Sequence, residues 1–275
     1  MLRALYIACL LFVPYAIGAA AGASPLWEVG VGVAGLSFPD YRGSDQARSY
    51  VLPLPYFIYR GRRLRVDRRG VRGLLFSSPR FVLDLSMDGA VPVDSSRNEA
   101  RVGMADLKPV VEIGPSLDVI IERAPERLVR LRFPVRAVVA TDLQSTQREG
   151  WTFNPQLAVD WRRVWRVGAA IGPVFATQPY HAYYYSVRPA DATPARPAYE
   201  ARAGYSGMRA TLSLSRRFRR YWMGAFVRYD ALSGAVFDDS PLVRRDYAVT
   251  VGAGIAWIIG RSSRPARRPI APVHP

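Results

Sequence analysis

Trp27-Glu28-Val29-Gly30-Val31-Gly32-Val33-Ala34 opens a stretch, residues 27–60, that reads as strand, loop, strand. Its odd positions are large and apolar (Trp27, Val29, Val31, Val33), and its even positions are small or charged (Glu28, Gly30, Gly32, Ala34). Successive side chains of a β-strand point to opposite faces, so this is the period-two signature of a strand between two unlike surroundings. Lipid on one side and a crowded polar lumen on the other would sort residues in this way. Pro39-Asp40-Tyr41-Arg42-Gly43-Ser44-Asp45 then carries turn chemistry. Leu52-Pro53-Leu54-Pro55-Tyr56-Phe57-Ile58-Tyr59-Arg60 brings the chain back, completing a membrane β-hairpin.

The alternation returns along the chain. Phe81, Leu83, Leu85 and Met87 oppose Asp84, Ser86 and Asp88; Val111, Ile113, Leu117, Val119 and Ile121 oppose Glu112, Gly114, Ser116 and Asp118. Val129, Leu131, Phe133 and Val135 alternate with Arg130, Arg132 and Arg136, a pattern no amphipathic helix produces. Residues 151–161 place Trp151 and Trp161 at the two ends of one strand, as interfacial aromatics do. Met208, Ala210, Leu212 and Leu214 oppose Arg209, Thr211 and Ser213, and residues 247–259 close the series.

Short connections (Gly61, 77–79, 123–126, 162–163, 218–220) alternate with long ones (39–50, 90–108, 141–149, 178–202, 232–243). Outer-membrane barrels have short periplasmic turns and longer external loops, so the pattern predicts an all-β antiparallel barrel of about twelve strands with periplasmic termini. Residues 62–76 must supply two short strands around Arg68-Arg69; as a single strand or a plug they reduce the count to about ten.

The domain plan is a signal segment over residues 1–23, a barrel over 24–260 and a disordered periplasmic tail over 261–275. Arg3, the apolar run Ala4–Ile17 and the small residues Ala21-Gly22-Ala23 predict cleavage between Ala23 and Ser24. The only cysteine, Cys9, lies in that segment, which leaves the mature chain without disulfides. No other apolar run approaches the roughly 20 residues of a transmembrane helix. The net charge of +16 is almost all arginine, with Lys108 the single lysine. In a soluble protein that balance points to nucleic acid. In an exported one it points to lipopolysaccharide phosphates, anionic murein or internal ion pairs, and no nucleic-acid partner is expected. Pro and Arg in residues 264–269 are too dense to build a core.

Motifs for catalysis and cofactors dissolve on inspection. Gly30-Val31-Gly32-Val33-Ala34-Gly35 matches G-x-G-x-x-G, yet no helix follows, so small inward residues explain it and no cofactor is expected. His181, in a long loop, and His274 are the only histidines, too few for a metal site; a loop histidine reads as solvated. Lipase chemistry needs a serine, a histidine and an orienting polar group at the lipid face, and His181 is followed by Ala182 and Tyr183. No enzyme activity is expected.

Charge is the remaining signal. Arg130, Arg132, Arg136, Arg166 and Arg209 are expected to face Glu28, Asp84, Asp88, Glu112, Asp118 and Asp160 across the lumen, either as a salt-bridged filling or as an anion pathway. Arg162, Arg163, Arg216, Arg217, Arg219 and Arg220 fall on periplasmic turns, as a solvated rim or as a surface for an acidic partner. Tyr183, Tyr184, Tyr185 and Tyr199 lie in the longest loop, either as a binding surface or as aromatics that sit at the outer girdle or fold over the barrel mouth.

The Tyr41-Arg42-Gly43-Ser44-Asp45 loop followed by Leu52-Pro53-Leu54-Pro55-Tyr56 resembles the MipA/OmpV family of outer-membrane proteins. Met104 to Gly114, Tyr183-Tyr184-Tyr185-Ser186-Val187, Arg196-Pro197-Ala198-Tyr199 and Asp239-Ser240-Pro241-Leu242-Val243 resemble it in the same order. The resemblance implies an outer-membrane scaffold in a Gram-negative envelope that holds a lytic transglycosylase and a murein synthase. A narrow porin for small anionic solutes and a surface adhesin acting through the long loops are the alternatives.

Overall fold

The computed structural model describes residues 25–61, 64–67, 70–142 and 144–266. The expected signal segment, its Ala23–Ser24 cleavage site and residues 267–275 lie outside the described residues. The described chain forms thirteen strand segments: β1 (Trp27–Pro39), β2 (Ala47–Arg60), β3 (Leu64–Asp67), β4 (Gly70–Ser77), β5 (Phe81–Ala90), β6 (Val110–Arg123), β7 (Arg127–Thr141), β8 (Thr146–Phe153), β9 (Gln156–Arg162), β10 (Arg166–Ala176), β11 (Gly204–Arg217), β12 (Tyr221–Ala231) and β13 (Tyr247–Arg261). One helix, α1 (Gln178–Tyr185), lies between β10 and β11.

Every segment pairs antiparallel with its neighbours, and β13 returns to β1 from Glu28↔Arg261 to Ser37↔Val251, so the sheet closes on itself. β8 and β9 both lie between β7 and β10, as two halves of one crossing. Counting β8 and β9 as one, the barrel has twelve strands, with β3 and β4 supplying the two short ones expected from residues 62–76.

The break in the eighth crossing departs from the uninterrupted strand expected there. Pro155 has no amide proton for a ladder, and Asn154 instead donates its side-chain amide to the Pro173 carbonyl at 2.7 Å. The neighbouring backbone closes in: a Cβ on Gly172 would stand 1.9 Å from the Pro155 oxygen, so only glycine fits.

Facing follows the sequence period. Val135 is 38% exposed and Arg136 9%; on β1, Trp27 is exposed and Glu28 buried. Exposed aromatics mark both ends of the wall, with Trp151 and the stacked Tyr229–Tyr247 pair at one and Trp161 and Trp257 at the other.

Strands run further than expected at several ends. Ser49 and Tyr50 pair with Ser37 and Leu36, and β8 begins at Thr146, so the first loop shrinks to 40–46 and the third long loop to 142–145. At the other end Leu26 donates to the Arg264 carbonyl at 2.9 Å and Pro25 bridges Pro265. Arg261, Ser262, Arg264 and Pro265, expected in the tail, thus pair with residues 25–28.

β3 reaches only Tyr59 and Arg60 of β2, and β4 meets β5 no higher than Asp84. Among the described residues, the upper parts of β2 and β5 therefore have no ladder partner on the sides that face each other.

The largest apolar core sits in the mouth. Tyr41, Val93, Leu107, Tyr180, Tyr184, Tyr185, Leu232, Phe237 and Leu242 are all buried there. Tyr185 stacks on Phe237 with ring centres 3.7 Å apart. Hydrogen bonds lock the loops together: Tyr41 Oη donates to the Leu242 carbonyl (2.8 Å), Asn98 Nδ2 to Asp40 (2.9 Å), and Ser240 Oγ to the Tyr185 carbonyl (2.7 Å). Arg196 Nη1 donates to the carbonyls of Ala100 and Val102 at 3.0 and 2.9 Å. The longest loop folds over the barrel mouth as a cap.

Candidate functional site

Inward-facing positions of the described strands converge on one lumen, and its charges pair in three layers. The end with short turns holds Glu28, which is 1% exposed. It meets Arg217 at 2.7 Å and Arg60 at 3.3 Å and accepts from Tyr56 Oη at 3.2 Å. A carboxylate at this depth is tolerated only with such partners. Arg166, half-buried on β10, lies at the same level, opposite Arg162 and Ser215 in the ladders.

The middle layer hangs on β7. Arg130 spans Asp118 at 3.1 Å and Asp160 at 2.7 Å, and Arg132 reaches the other Asp118 oxygen at 2.9 Å. Asp84 is buried beside Ser116, its partner in the ladder. Period two is what places Arg130 and Arg132 on one face, where they share a carboxylate from the adjacent strand.

The upper layer contains Arg136, which donates to Ser86 Oγ at 3.0 Å and stands 3.8 Å from both Asp88 and Glu112. Glu112 also accepts from Thr152 Oγ1 at 2.9 Å. Arg209 pairs with Asp230 at 2.8 Å, and Arg42 descends from the first loop to the same carboxylate at 3.2 Å. Arg228, Asp230 and Arg42 were absent from the expected lumen set. Arg228 and Asp230 alternate with exposed Met223, Val227 and Tyr229 on β12, a period-two signal that could have found them. Arg42 is carried inward by a loop, and no local pattern marks it.

Between this layer and the cap lies a chamber of about 120 Å³, lined by Arg42, Arg209, Arg228, Asp88, Glu112 and Asp230 and roofed by Tyr180, Tyr184 and Tyr185. Tyr50 and Leu52 of β2 and Asp88, Gly89 and Ala90 of β5 complete the wall, at the two strand edges left without a ladder between them.

The expected rim arginines divide. Arg219 and Arg220 are exposed on the β11–β12 turn, and Arg163 is exposed with Glu126 at 2.7 Å. Arg216 faces outward over the rings of Phe218 (4.6 Å) and Trp165 (5.6 Å), a cation–π contact at the wall's end. Arg217 is a correction: it shares the inward face with Ser213 and Ser215 and binds Glu28, so it belongs to the lumen. Arg162 likewise stands inward and half-buried rather than on the turn's surface.

His181 is the second correction. It is 0% exposed rather than solvated, with Nδ1 against the Arg202 carbonyl and Nε2 against Ser206 Oγ. A carbonyl only accepts, so Nδ1 carries the proton and Nε2 accepts from the serine. Burial, with a smaller effect from nearby Arg42, pulls this imidazole down to about 4. A serine–histidine pair therefore exists. It is sealed beneath Phe237 and Tyr185, inside the barrel, with a backbone carbonyl in the orienting position, so its geometry is that of a latch between α1 and β11.

The family model described as MltA-interacting protein MipA matches residues 31–259. No curated protein matches the chain. Solved structures similar to it include a bacterial polysaccharide outer membrane secretin (9% identity, 85% of this chain and 99% of that one, TM-score 0.41). Others are outer membrane phospholipase A from Escherichia coli (11%, 92% and 97%, TM-score 0.33) and the P. putida toluene transporter TodX (7%, 93% and 94%, TM-score 0.37). Likenesses this distant carry nothing about activity. The match over residues 31–259, on a closed barrel of twelve strands, makes this chain a member of the MipA family of outer-membrane β-barrel proteins.

Proposed function

We propose that this protein is a closed, non-enzymatic anchor in the outer membrane of a Gram-negative bacterium, holding a murein-processing assembly at the membrane's inner face. The signal segment 1–23 delivers it there, the apolar wall meets lipid and lipopolysaccharide, and the lumen charges serve as rigid filling. The observation that carries this reading is the double closure of the bore: three ion-paired layers beneath an interlocked loop cap. A barrel shut in this way has its remaining chemistry at its ends. At the periplasmic end Arg219 and Arg220 are exposed and make no ion pair among the described residues, a surface suited to an acidic partner. The family's description supports a lytic transglycosylase as that partner, with a murein synthase beside it by resemblance.

The test is a crosslinking pull-down from cell envelopes, comparing the unmodified chain with Arg219→Glu/Arg220→Glu. Recovery of a murein hydrolase with the first and its loss with the second is expected. Equal recovery from both, or none from either, would overturn the reading. The porin alternative is carried by a different measurement: a large, stable, anion-selective conductance from the intact protein in a planar bilayer would replace the anchor with a channel.

A further inference from the structure

β2 carries Leu52-Pro53-Leu54-Pro55, and the direction of its backbone groups decides what those prolines do. Arg60 donates its amide to the Leu26 carbonyl at 2.7 Å, and Asp40 donates to the Gln46 carbonyl at 3.0 Å. The register between these bonds has no shift, so even-numbered residues of β2 bond to β1 and odd-numbered ones turn their backbone groups the other way. Pro53 and Pro55 are odd. They withhold two N–H groups from the side where a next strand would pair, and proline in a sheet is confined to such edges. On β5, Ile120 donates to the Arg80 carbonyl at 2.8 Å, so even-numbered residues bond to β6. The Gly89 amide points away from β6 and is taken by the Asp88 carboxylate at 3.0 Å. Pro53, Pro55 and Asp88 thus blunt the two facing edges against strand pairing.

This interval lies at hydrocarbon depth, since the outward residues of β2 between Ser49 and Tyr59 are Val51, Pro53, Pro55 and Phe57, all exposed. Strand edges are tolerated at that depth only where they line a water-filled cavity, and the chamber beside them is that cavity. Its inner face at the gap is apolar: Leu36, Phe38 and Leu52 point inward yet stay partly exposed. Its charges already have partners. Asp40 holds Arg48 at 2.6 Å, Asp230 holds Arg209 and Arg42 at 2.8 and 3.2 Å, and Asp88 and Glu112 face Arg136 at 3.8 Å, with Arg228 at 3.9 Å from Asp88. On the roof, the hydroxyls of buried Tyr180 and Tyr184 make no hydrogen bond among the described residues.

We propose that the gap between β2 and β5 is a side entrance by which a small uncharged alcohol passes from the lipid into the chamber, its apolar body on Leu36, Phe38 and Leu52 and its hydroxyl at Tyr180 and Tyr184. The cap closes the way from above and the ion-paired layers close it from below, so lipid is the side left open. A charged solute would have to cross hydrocarbon and then break an ion pair to find a partner. An alcohol oxygen accepts from a phenol and donates to a carbonyl, the two kinds of group left over on the roof and along the β2 edge. Size sets the limit: an apolar cavity of ~150 Å³ takes benzene, six heavy atoms, so about 120 Å³ suits an alcohol such as 1-butanol. The entrance lies away from the anchoring surface, and the inference does not depend on that role.

The test uses the full mature chain refolded into lipid vesicles. Cys9 is the only cysteine and lies in the signal segment, so single-cysteine variants read without background. Leu52→Cys faces the chamber at the gap, Val51→Cys faces lipid, and Ser213→Cys faces the lumen behind the continuous ladders of β10, β11 and β12. Each is treated with methyl methanethiosulfonate, small and uncharged, and with a sulfonated, charged analogue, with rates taken relative to a free thiol. Leu52→Cys should react with the uncharged reagent at least about tenfold faster than with the charged one, and at least about tenfold faster than Ser213→Cys. 1-Butanol should slow Leu52→Cys about threefold or more and leave Val51→Cys unchanged. Tyr180→Phe/Tyr184→Phe should raise the butanol concentration needed at least about threefold, the effect of one lost hydrogen bond. If Leu52→Cys does not fold, Leu36→Cys reads the same space. Protection of the chamber thiol equal to that of Ser213→Cys, equal reaction with the charged reagent, no slowing by butanol, or undiminished slowing in the double tyrosine variant would each overturn the proposal.

Discussion

Acidification should loosen the cap while leaving the barrel wall intact, and His181 is the group that makes it do so. Its imidazole falls from an ordinary 6.5 to about 4 in the folded cap, so the fold favours the neutral ring. The sign follows directly. Between pH 6.5 and 4 the released loop binds a proton that the docked loop excludes, so docking weakens as pH falls through this window and is at full strength above it. From 6.5 to about 4, at ~1.4 kcal/mol per pH unit, docking loses about 3.5 kcal/mol, with no discount for solvent because the ring is fully buried. The donor pattern agrees, since a protonated Nε2 can no longer accept from Ser206.

Hydrogen exchange of the loop at residues 177–203, followed at pH 7 and pH 4.5, reads the effect. Faster exchange in that loop at pH 4.5, without faster exchange in β6 and β7, is expected. His181→Gln, which cannot titrate, should flatten the pH response even though it lowers protection at both values. An unchanged response in that variant would assign the effect to other groups and refute the argument.

Further outcomes follow from the wall and the lumen. Val135→Arg, on the lipid face, should cost about 2–4 kcal/mol in refolding into bilayers, and Arg136→Gln less. Comparable losses would mean that the register is wrong. Arg130→Met should cost about 3–5 kcal/mol because Asp118 and Asp160 lose a shared guanidinium, and adding Asp160→Asn should recover at least about 1 kcal/mol of it. Additive losses in urea titrations would show that the pair is not coupled. The intact protein should give little steady conductance in a planar bilayer, rising only when residues 182–201 are deleted and the lumen arginines Arg130, Arg132 and Arg136 are neutralised together; a full rise on deletion alone would place the closure in the cap.

Much of the wall was legible because membrane and lumen sort side chains by a strict period of two. The inward Arg130, Arg132 and Arg136 and the outward Val129, Leu131 and Val135 could be placed from alternation alone. Pairing across the lumen was not legible, since which arginine meets which carboxylate depends on how the sheet closes. Nearness to a turn puts Arg217 at the rim, whereas its parity with Ser213 and Ser215 points inward, where it meets Glu28. The break at Asn154-Pro155 was hidden because the apolar alternation runs straight through it. Strand ends above the lipid, such as Ser49 and Tyr50, carry no hydrophobic mark, so the loops read too long. His181 and Arg42 lie in loops that fold inward through long-range contacts, and nothing within a few residues of either announces burial.

The segments that carried the family resemblance turn out to be largely one structure. Tyr41 to Ser44, Tyr183 to Val187, Arg196 to Tyr199 and Ser240 to Val243 belong to different loops, yet hydrogen bonds and ring contacts tie them to one another and to Asn98, Arg101 and Phe237 in the cap. Tyr185 Oη donates to the Arg42 carbonyl, and that same arginine reaches Asp230 in the chamber below. The motifs therefore describe a roof and the site beneath it, whereas Arg219 and Arg220 lie outside every one of them. The proposed anchoring at the periplasmic rim and the state of the cap can thus be separated by variants at opposite ends of the barrel. A rim variant that loses its partner while hydrogen exchange in the cap is unchanged would show the two surfaces to be independent. A roof variant that also loses the partner would instead mean that the cap's state is transmitted through the ion-paired lumen, by way of Arg136, Arg132 and Arg130 on the single strand β7.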